Sequence, residues 1–289
     1  MATMADYRTQ AKAWWCPGCG DFGTLAGLQK ALTELNIEPE NVALVAGIGC
    51  SGKIGNYVNS YNVHTAHGRA LPAAQGLKLA NRELTVVAAG GDGDGFAIGM
   101  GHYMHALRRN VDITYVVMDN MIYGLTKGQT SPTSDHGFVT KSTPNGNIEY
   151  PVNQLQLAIA SGCSFVANGF SANQKQLVEI MKAAISHPGF ALVNVYSPCV
   201  TFNKQNTFDF FKGVIENLDE DPNYDRHDRF GAMKKLMETQ ELVTGIIYQD
   251  PNSVPYEDRV TGYPKTGIAN NRQPSVDPAE WAKIIASYK

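Results

Sequence analysis

An α/β fold, with a mostly parallel sheet and helices on both of its faces, is predicted by two features of the sequence. Apolar runs of strand length recur along the chain, and stretches with helical spacing of apolar residues accompany them. Strands that alternate with helices favour parallel pairing, because each crossover helix must pack back onto the sheet. The predicted strands are residues 42–48, 84–89, 113–118, 164–166 and 190–196.

Three helices are predicted beside these strands. Apolar residues recur every three or four positions over 22–35 and over 177–185, and the second pattern stops at His187-Pro188-Gly189. Residues 96–109, between the second and third strands, are predicted as one further helix. The alternation of strands and helices covers residues 1–200, which we predict to form one domain.

The sequence changes character after Thr201. It becomes more polar and rich in turn residues, and only two short helices are predicted, near 229–237 and 278–287. We therefore predict that residues 201–289 form an irregular C-terminal extension, which packs on the domain or on a partner subunit.

Composition indicates an ordinary globular protein. The chain has 289 residues, of which 43% are apolar and 18% charged, so it can bury a sizeable core. The net charge is −3 and no run of Lys or Arg exceeds a pair, which argues against a nucleic-acid partner. The apolar runs are too short to span a bilayer, and the polar N-terminus lacks a secretory signal. We expect a cytoplasmic protein without a membrane segment.

Two oxygen-donor side chains each follow a predicted strand. Asp92 lies in the glycine-rich segment after the second strand, and Asn120 lies two residues after the end of the third. Glycines let backbone N–H groups approach phosphate oxygens, and a following helix adds a favourable dipole. Carboxylate and amide oxygens are ligands that Mg²⁺ prefers. This pattern predicts a magnesium-bound diphosphate, and the alternative is a glycine-rich turn with a solvated aspartate.

The spacing does not fit two other phosphate-binding motifs. A Walker A loop would end in Gly-Lys-Ser/Thr, and a dinucleotide fingerprint would run Gly-x-Gly-x-x-Gly; Gly91, Gly93 and Gly95 match neither. Gly-Asp-Gly followed by Asn120 at the end of the next strand resembles the thiamin diphosphate (ThDP) signature. This resemblance implies that Asp92 and Asn120 bind Mg²⁺ through their side chains and that Ile122 binds it through its carbonyl.

Four of the five cysteines are predicted to converge. Cys16 and Cys19 form a Cys-x-x-Cys pair before the first helix, whereas Cys50 and Cys199 each follow a strand and should reach the same sheet edge as Asp92. Cys163 lies at a helix-to-strand junction and is predicted to be buried packing.

Three kinds of site compete for these cysteines: a redox disulfide pair, structural zinc and an iron–sulfur cluster. A thioredoxin-like pair would carry Gly-Pro after a strand, whereas here the order is Pro-Gly and no strand precedes it. Zinc and iron–sulfur sites both need about four ligands. An electron acceptor has a reason to lie at a cofactor edge, so the cluster is favoured and zinc is the alternative.

Six sequence blocks together resemble the β subunit of two-subunit 2-oxoacid:ferredoxin oxidoreductases, and they span most of residues 13–203. The blocks are Trp15-Cys-Pro-Gly-Cys-Gly20, Gly47-Ile-Gly-Cys-Ser-Gly52, His64-Thr-Ala-His-Gly-Arg-Ala70, Gly90-Gly-Asp-Gly-Asp94, Asp119-Asn-Met-Ile-Tyr-Gly-Leu-Thr-Lys-Gly-Gln129 and Ser197-Pro-Cys-Val-Thr-Phe-Asn203. The resemblance implies a thiamin diphosphate-binding fold, specifically its diphosphate-binding half.

The resemblance also implies ligands for each cofactor. One [4Fe–4S] cluster would be held by Cys16, Cys19, Cys50 and Cys199. Contacts to ThDP would come from Ile48, Gly49, Cys50, Ser51, His67, Gly93, Asp94, Gly124 and Leu125. His67 and Lys53 are the candidates to face substrate, with a structural histidine and a solvated lysine as the alternatives.

The implied activity is oxidative decarboxylation of a 2-oxoacid with coenzyme A (CoA) to acyl-CoA and CO₂, with ferredoxin as electron acceptor. Run in reverse, the reaction would fix CO₂. The chain has room for only the diphosphate half of a ThDP site, so an α subunit would supply the pyrimidine half in an (αβ)₂ assembly. 2-Oxoglutarate is the favoured substrate because Lys53 could present a cation to it; a pyruvate or broad-specificity enzyme is the alternative.

Two other classes of function remain open. The first is a non-redox ThDP decarboxylase or ligase with a structural zinc site. The second is a subunit that binds diphosphate or metal only to scaffold a partner.

Overall fold

The computed structural model describes residues 1–269 and 277–288, and its centre is one large sheet. The strands are β1 (Val42–Ala46), β2 (Tyr61–His64), β3 (Thr85–Gly91), β4 (Thr114–Asp119), β5 (Phe165–Phe170), β6 (Ala191–Tyr196), β7 (Glu216–Asn217) and β8 (Val243–Gln249). Their order across the sheet is β2-β1-β3-β4-β6-β5-β8-β7. Each pair is parallel except β5 and β8, which run antiparallel. The predicted α/β fold is confirmed.

Helices pack on both faces of this sheet. They are α1 (Asp21–Glu34), α2 (Ala70–Ala80), α3 (Met100–Arg109), α4 (Gln154–Ala160), α5 (Gln174–Ile185), α6 (Phe208–Val214), α7 (Arg229–Glu238), α8 (Tyr256–Arg259) and α9 (Pro278–Ser287). Within the described ranges the longest helix has 14 residues, and none combines the length and apolar character needed to cross a membrane.

Two apolar cores lie on opposite faces of the sheet, and successive strand residues alternate between them. On β4, Tyr115 and Val117 face the core formed with α2, α3, α4 and α7, while Val116 and Met118 face the core formed with α1 and α5. Because the central strands are buried on both faces, they appear in the sequence as continuous apolar runs rather than as alternating patterns. This explains why the central strands could be predicted from continuous apolar runs in the sequence.

One predicted helix has a different geometry at its start. Residues 96–109 do not form a single α-helix: a π-helical turn covers Asp94–Ile98, and α3 begins at Met100. The N–H of Gly99 donates to the carbonyl of Asp94, five residues earlier, at 3.1 Å. The extra residue in this turn lets the chain after β3 widen around the strand end, as π turns at functional sites often do.

The C-terminal extension is more regular than predicted. The two expected short helices are present as α7 and α9, but β8 extends the sheet and β7 pairs with it. Val243 and Ile247 of β8 are fully buried in the same core as Leu236 of α7. The extension therefore completes the sheet instead of only wrapping it. Residues 270–276 and 289 of the predicted extension lie outside the described residues.

His187, which follows α5, contacts the residue directly before β5 and should make stability depend on pH. Its ring is 3% exposed, Nε2 lies 2.8 Å from Oγ of Ser164, and Nδ1 is buried without a partner. Burial lowers the pKa of His187 to about 4, so the folded protein holds the neutral ring. The unfolded chain takes up a proton near pH 6.5, which favours unfolding at lower pH.

We expect the contribution of neutral His187 to the free energy of unfolding to be complete above pH 6.5. As the pH falls from 6.5 towards 4, the free energy of unfolding should decrease by about 3 kcal/mol because of this group. Urea unfolding of the wild type and of His187→Gln from pH 4 to pH 7 isolates this group, because other titrating residues are common to both proteins. Parallel pH profiles for the two proteins would contradict the prediction.

Candidate functional site

Two cavities lie where the C-terminal ends of β1, β3, β4 and β6 meet. The first, called here the glycine cavity, contains each residue that the sequence predicted for Mg²⁺ or ThDP. Those residues are Ile48, Gly49, Cys50, Ser51, His67, Asp92, Gly93, Asp94, Asn120, Ile122, Gly124 and Leu125. They come from four separate loops, which the parallel strands bring together at one edge of the sheet.

Asp92 is buried at the floor of the glycine cavity. Its side chain is 2% exposed, and its Oδ2 accepts a hydrogen bond of 2.8 Å from the Thr133 hydroxyl. Burial raises the pKa of Asp92 above its ordinary value, although nearby hydroxyl and backbone donors oppose this. An ionised carboxylate is therefore disfavoured at this position until a cation binds beside it.

Asp94 ties three loops of the cavity together. Its Oδ1 accepts the backbone N–H of Ile48 at 2.9 Å and that of Gly68 at 2.8 Å. A Cβ on Gly47 would lie 2.0 Å from Oδ2 of Asp94, so glycine is required at that position. Burial raises the pKa of Asp94, while these two N–H donors favour its charged form. The Asp94 carboxylate thus holds the loops that contain Ile48 and Gly68 in place around the cavity.

His67 lies at the mouth of the glycine cavity. Its Nδ1 is 3.2 Å from Oδ1 of Asp94, but the ring is not aligned to donate a hydrogen bond to it. The side chain is 38% exposed, and it lines the glycine cavity. Arg69 braces this turn through hydrogen bonds to the carbonyls of Gly68 and Ile98.

The loop after β4 forms the opposite wall. Asn120 Oδ1 accepts the N–H of Ile122 at 3.1 Å, and Met121 between them adopts a left-handed conformation with φ of 56°. The Tyr123 hydroxyl donates to the carbonyl of Gly93 at 3.2 Å, and its ring occupies the space where a Cβ on Gly93 would lie. The loop therefore closes against the glycine-rich turn, with Asn120 and Ile122 facing the same cavity as Asp92.

The second cavity, called here the thiol cavity, brings four cysteines together. It has a volume of about 160 Å³, and Trp14, Trp15 and Lys53 also line it. The cysteines are Cys16, Cys19, Cys50 and Cys199, the four that the sequence predicted to converge. The fifth, Cys163, is 1% exposed in the core, as predicted.

Hydrogen bonds and close packing hold the Cys-x-x-Cys loop against two strand ends. The indole Nε1 of Trp15 donates to the carbonyl of Cys50 at 2.7 Å, and the N–H of Gly20 donates to the carbonyl of Pro198 at 3.2 Å. A Cβ on Gly20 would lie 2.6 Å from the backbone of Ser197, so glycine is required for this approach. These contacts bring the N-terminal loop to the ends of β1 and β6.

The surroundings of the thiols disfavour free thiolates. Burial raises the pKa of Cys50 to about 11, and it also raises the pKa of Cys19. The buried carboxylate of Asp21 opposes ionisation of both thiols. A cationic iron or zinc group would remove this cost, since metal binding deprotonates thiols outright.

The four thiols that line the thiol cavity do not form a ready site for a single metal ion. Across residues 1–269 and 277–288, no three His, Cys, Asp or Glu side chains are placed to hold a single metal ion. A zinc site would need four sulfurs about 2.3 Å from one point. A [4Fe–4S] cluster differs from a zinc site in that each thiolate binds a different iron, so its four sulfurs need not surround one point.

The two cavities share part of their walls. Cys50, Asn120, Gly124 and Leu125 line both of them. Lys53 lines only the thiol cavity, one turn of chain after Cys50, whereas His67 lines only the glycine cavity. A group bound in one cavity would thus lie directly beside a group bound in the other.

Sequence reasoning missed two buried carboxylates beside this site. Asp21 is fully buried at the start of α1, where its Oδ1 accepts from the Ser197 hydroxyl at 2.6 Å and Oδ2 has no partner. Asp119 is fully buried directly before Asn120, and Thr133 lies between it and Asp92. Asp119 could have been suspected from the sequence because it is adjacent to Asn120, a predicted Mg²⁺ ligand. No feature of the local sequence indicated that Thr133 belongs to the site.

Comparison with known proteins agrees with this geometry. Residues 47–195 match the family described as thiamine pyrophosphate enzyme, C-terminal TPP binding domain. Residues 199–265 match the family that describes the C-terminal part of the pyruvate ferredoxin oxidoreductase β chain. The fold and site thus define a thiamin diphosphate-binding domain of the kind found in oxidoreductases.

Individual relatives are similar over most of their length. The chain is 42% identical to 2-oxoacid:ferredoxin oxidoreductase 1, subunit beta, of Aeropyrum pernix, over 99% of this chain and 96% of that protein. It is 44% identical to 2-oxoglutarate synthase subunit KorB of Archaeoglobus fulgidus, over 75% of this chain and 82% of that protein. The chain belongs to the β subunits of the 2-oxoacid:ferredoxin oxidoreductases.

A solved structure shares the whole fold. It is 2-oxoglutarate:ferredoxin oxidoreductase from Magnetococcus marinus with 2-oxoglutarate, coenzyme A and succinyl-CoA bound. The TM-score is 0.89 at 40% identity, and the match covers 100% of this chain and 96% of that chain.

Proposed function

We propose that this chain is the β subunit of a 2-oxoglutarate:ferredoxin oxidoreductase that forms succinyl-CoA and CO₂ and reduces ferredoxin, and that can run in reverse to fix CO₂. It binds ThDP with Mg²⁺ in the glycine cavity and one [4Fe–4S] cluster in the thiol cavity. The single observation that carries this proposal is the shared wall of Cys50, Asn120, Gly124 and Leu125 between the two cavities. An electron acceptor has a reason to lie directly beside the cofactor, whereas a zinc ion that serves stability alone does not.

Each cofactor would be held by donors of suitable chemistry. Asp92, Asn120 and the Ile122 carbonyl offer the oxygen ligands that Mg²⁺ requires. The four cysteines offer the thiolates of a [4Fe–4S] cluster. When bound, ThDP supplies a carbon nucleophile for the substrate carbonyl, and the cluster supplies a one-electron acceptor.

The protein's own residues would bind and orient the cofactor and the substrate. Asp94 holds the turns at Ile48 and Gly68 in place, so that their backbones can surround the diphosphate. His67, which lines the glycine cavity with a partly exposed side chain, would donate to an anionic oxygen of cofactor or substrate. Gly124 keeps the wall between the cavities thin, because a side chain there would project towards two thiols.

A partner chain would complete the site. The glycine cavity has a volume of about 80 Å³. Small-molecule sites usually enclose about 300–1,000 Å³, so this chain alone cannot bury a cofactor of the size of ThDP. We infer that an α subunit supplies the pyrimidine half, within an (αβ)₂ assembly that also binds CoA. Residues 1–200 carry the cofactor ligands. Strands β7 and β8 of the extension complete the sheet, and we propose that the extension also contributes to subunit packing.

The decisive experiment is anaerobic co-purification of the chain with its α subunit, followed by dye reduction with several 2-oxoacids and CoA. The expected result is a brown protein with iron and acid-labile sulfide, whose turnover depends on a viologen dye or ferredoxin and is greatest with 2-oxoglutarate. Colourless protein with stoichiometric zinc would overturn the redox proposal. Equal or greater turnover with pyruvate would identify a pyruvate or broad-specificity enzyme instead.

Lys53 is proposed to bind the distal carboxylate of 2-oxoglutarate. In the structure Lys53 lines the thiol cavity and not the glycine cavity; it follows Cys50, which lines both, so its side chain would have to reach the substrate past the shared wall. Loss of a hydrogen bond from a charged group costs about 1.5–3 kcal/mol, which corresponds to about 10–100-fold in affinity. Lys53→Met should therefore raise the KM for 2-oxoglutarate by about 10–100-fold and leave the KM for pyruvate nearly unchanged.

The matched control is Lys175→Met, which removes an exposed lysine of α5 that lines neither cavity. Dye-reduction kinetics with both 2-oxoacids provide the comparison. If Lys53→Met raises both KM values equally, Lys53 does not select between these substrates.

A further inference from the structure

A fully buried carboxylate lies behind the proposed Mg²⁺ site without reaching either cavity. Asp119 ends β4, and four donors surround its oxygens. Oδ1 accepts from the N–H of Met121 at 3.2 Å and lies 3.0 Å from the hydroxyl oxygen of Thr133, which has one proton to share between Asp119 and Asp92. Oδ2 accepts from Nε2 of Gln154 at 2.9 Å and from Nδ2 of Asn194 at 3.5 Å. With all its hydrogen bonds directed inwards, Asp119 cannot contact a cofactor.

The hydroxyl of Thr133 links Asp119 to Asp92. Its Oγ1 lies 2.8 Å from Oδ2 of Asp92 and 3.0 Å from Oδ1 of Asp119, and the side chain is 2% exposed. The loop that carries Thr133 is itself anchored, since the Ser134 hydroxyl donates to the carbonyl of Met121 at 2.6 Å. The rotamer of Asp92 is therefore restrained by a contact that crosses from the end of β3 to the end of β4.

The same carboxylate restrains the other half of the site. Met121 has a φ of 56°, which is uncommon for a residue with a side chain. The bond from its N–H to Asp119 helps to hold this turn. The turn aims the Asn120 side chain and the Ile122 carbonyl at the glycine cavity. One buried acid is thus connected to each of the three proposed Mg²⁺ ligands.

We propose that Asp119 and Thr133 are positioning residues for the divalent cation: they orient Asp92 and the turn from Asn120 to Ile122 without touching the ion. This inference rests on the proposed function, since it concerns the same Mg²⁺–ThDP site. Partners that orient metal ligands commonly contribute about 10–100-fold to metal affinity. The Thr133 hydroxyl lies within hydrogen-bond distance of both carboxyl groups and donates its one proton to one of them at a time, so a methyl group in its place would remove the polar contact that links Asp92 to Asp119 through this residue.

The test measures the Mg²⁺ requirement for cofactor binding in the complete αβ assembly. The protein is stripped with EDTA, and rebinding of ThDP is followed by calorimetry at increasing Mg²⁺ concentration. Thr133→Val should raise the half-saturating Mg²⁺ concentration by about 10–100-fold, whereas Thr133→Ser, which keeps the hydroxyl, should stay close to the wild type. Asp119→Asn, which keeps the shape but removes an acceptor, should shift in the same direction as Thr133→Val.

Thr114→Val is the matched control. Thr114 is a buried threonine like Thr133, but it lies at the start of β4, and its hydroxyl donates to the carbonyl of Ala184 at 3.3 Å, outside the site. Unchanged Mg²⁺ requirement in Thr133→Val would overturn the inference. So would an equal shift in Thr114→Val, or a shift that Thr133→Ser fails to rescue, since both would indicate a merely structural role. A wild-type assembly that binds no Mg²⁺–ThDP would overturn the proposed function and this inference with it.

Discussion

Replacing Asp92 by alanine is expected to lower turnover of the assembled enzyme by at least about 100-fold, because a direct Mg²⁺ ligand should matter more than the partners that orient it. In the absence of Mg²⁺, the variant should have a free energy of unfolding no lower than that of the wild type. The reason is that burial raises the pKa of Asp92 and so disfavours its charged form in the folded protein. Mg²⁺ and ThDP should raise the melting temperature of the wild type by mass action, but not that of the variant. Dye-reduction assays and calorimetric melts measure the two effects.

A suitable control is Asp209→Ala, which removes a carboxylate of α6 whose side chain is 97% exposed. This variant should keep wild-type turnover and the wild-type response to Mg²⁺ and ThDP. Full turnover in Asp92→Ala would mean that the glycine cavity only scaffolds a partner. Lost turnover with an unaltered thermal response would instead separate catalysis from ion binding.

Replacing Cys199 by serine is expected to abolish electron transfer to ferredoxin or dye. Cys199 is 9% exposed at the end of the segment after β6, where its Sγ faces the same wall as Cys50. Serine is a poor cluster ligand, because iron–sulfur clusters depend on thiolates. The wild-type assembly should contain about four irons per β subunit, with absorbance near about 400 nm that bleaches on reduction. The variant should lose most of this iron and its absorbance.

Cys163→Ser tests whether the effect is specific to the thiol cavity. Cys163 is buried in the core, and its thiol donates to the carbonyl of Phe165 at 3.2 Å, a bond that a serine hydroxyl can replace. This variant should retain iron, absorbance and turnover. Wild-type iron content in Cys199→Ser would remove Cys199 from the ligand set and favour a different group in the thiol cavity.

The strand ends that carry the site could be located in the sequence. Asp92, Asn120, Cys50 and Cys199 each follow a continuous apolar run, and parallel strands place such positions at one edge of a sheet. The register agrees, since Gly91 of β3 pairs with Met118 of β4 and Asp119 pairs with Tyr196 of β6. These four residues were accessible to sequence reasoning because each one lies beside a local pattern, whereas Thr133 does not.

Strand β8 was not accessible in this way. Its sequence contains Gly245, which has a φ of 126°, and its register with β5 shifts between Val166 and Ala167. Irregular pairing of this kind leaves no clean alternation of apolar and polar residues. Strand β8 is buried because it pairs with the free edge of β5. That edge exists only once the sheet has formed, so the local sequence of β8 does not indicate it.

The α/β fold and the donor chemistry at its strand ends were determined by the sequence alone, because apolar periodicity and residue type are local properties of the chain. Only the tertiary structure decided that the thiol cavity and the glycine cavity share a wall, and that Thr133 lies between Asp92 and Asp119. These relations join residues far apart in the chain, and side-chain packing in three dimensions is what places them within a few ångströms of one another.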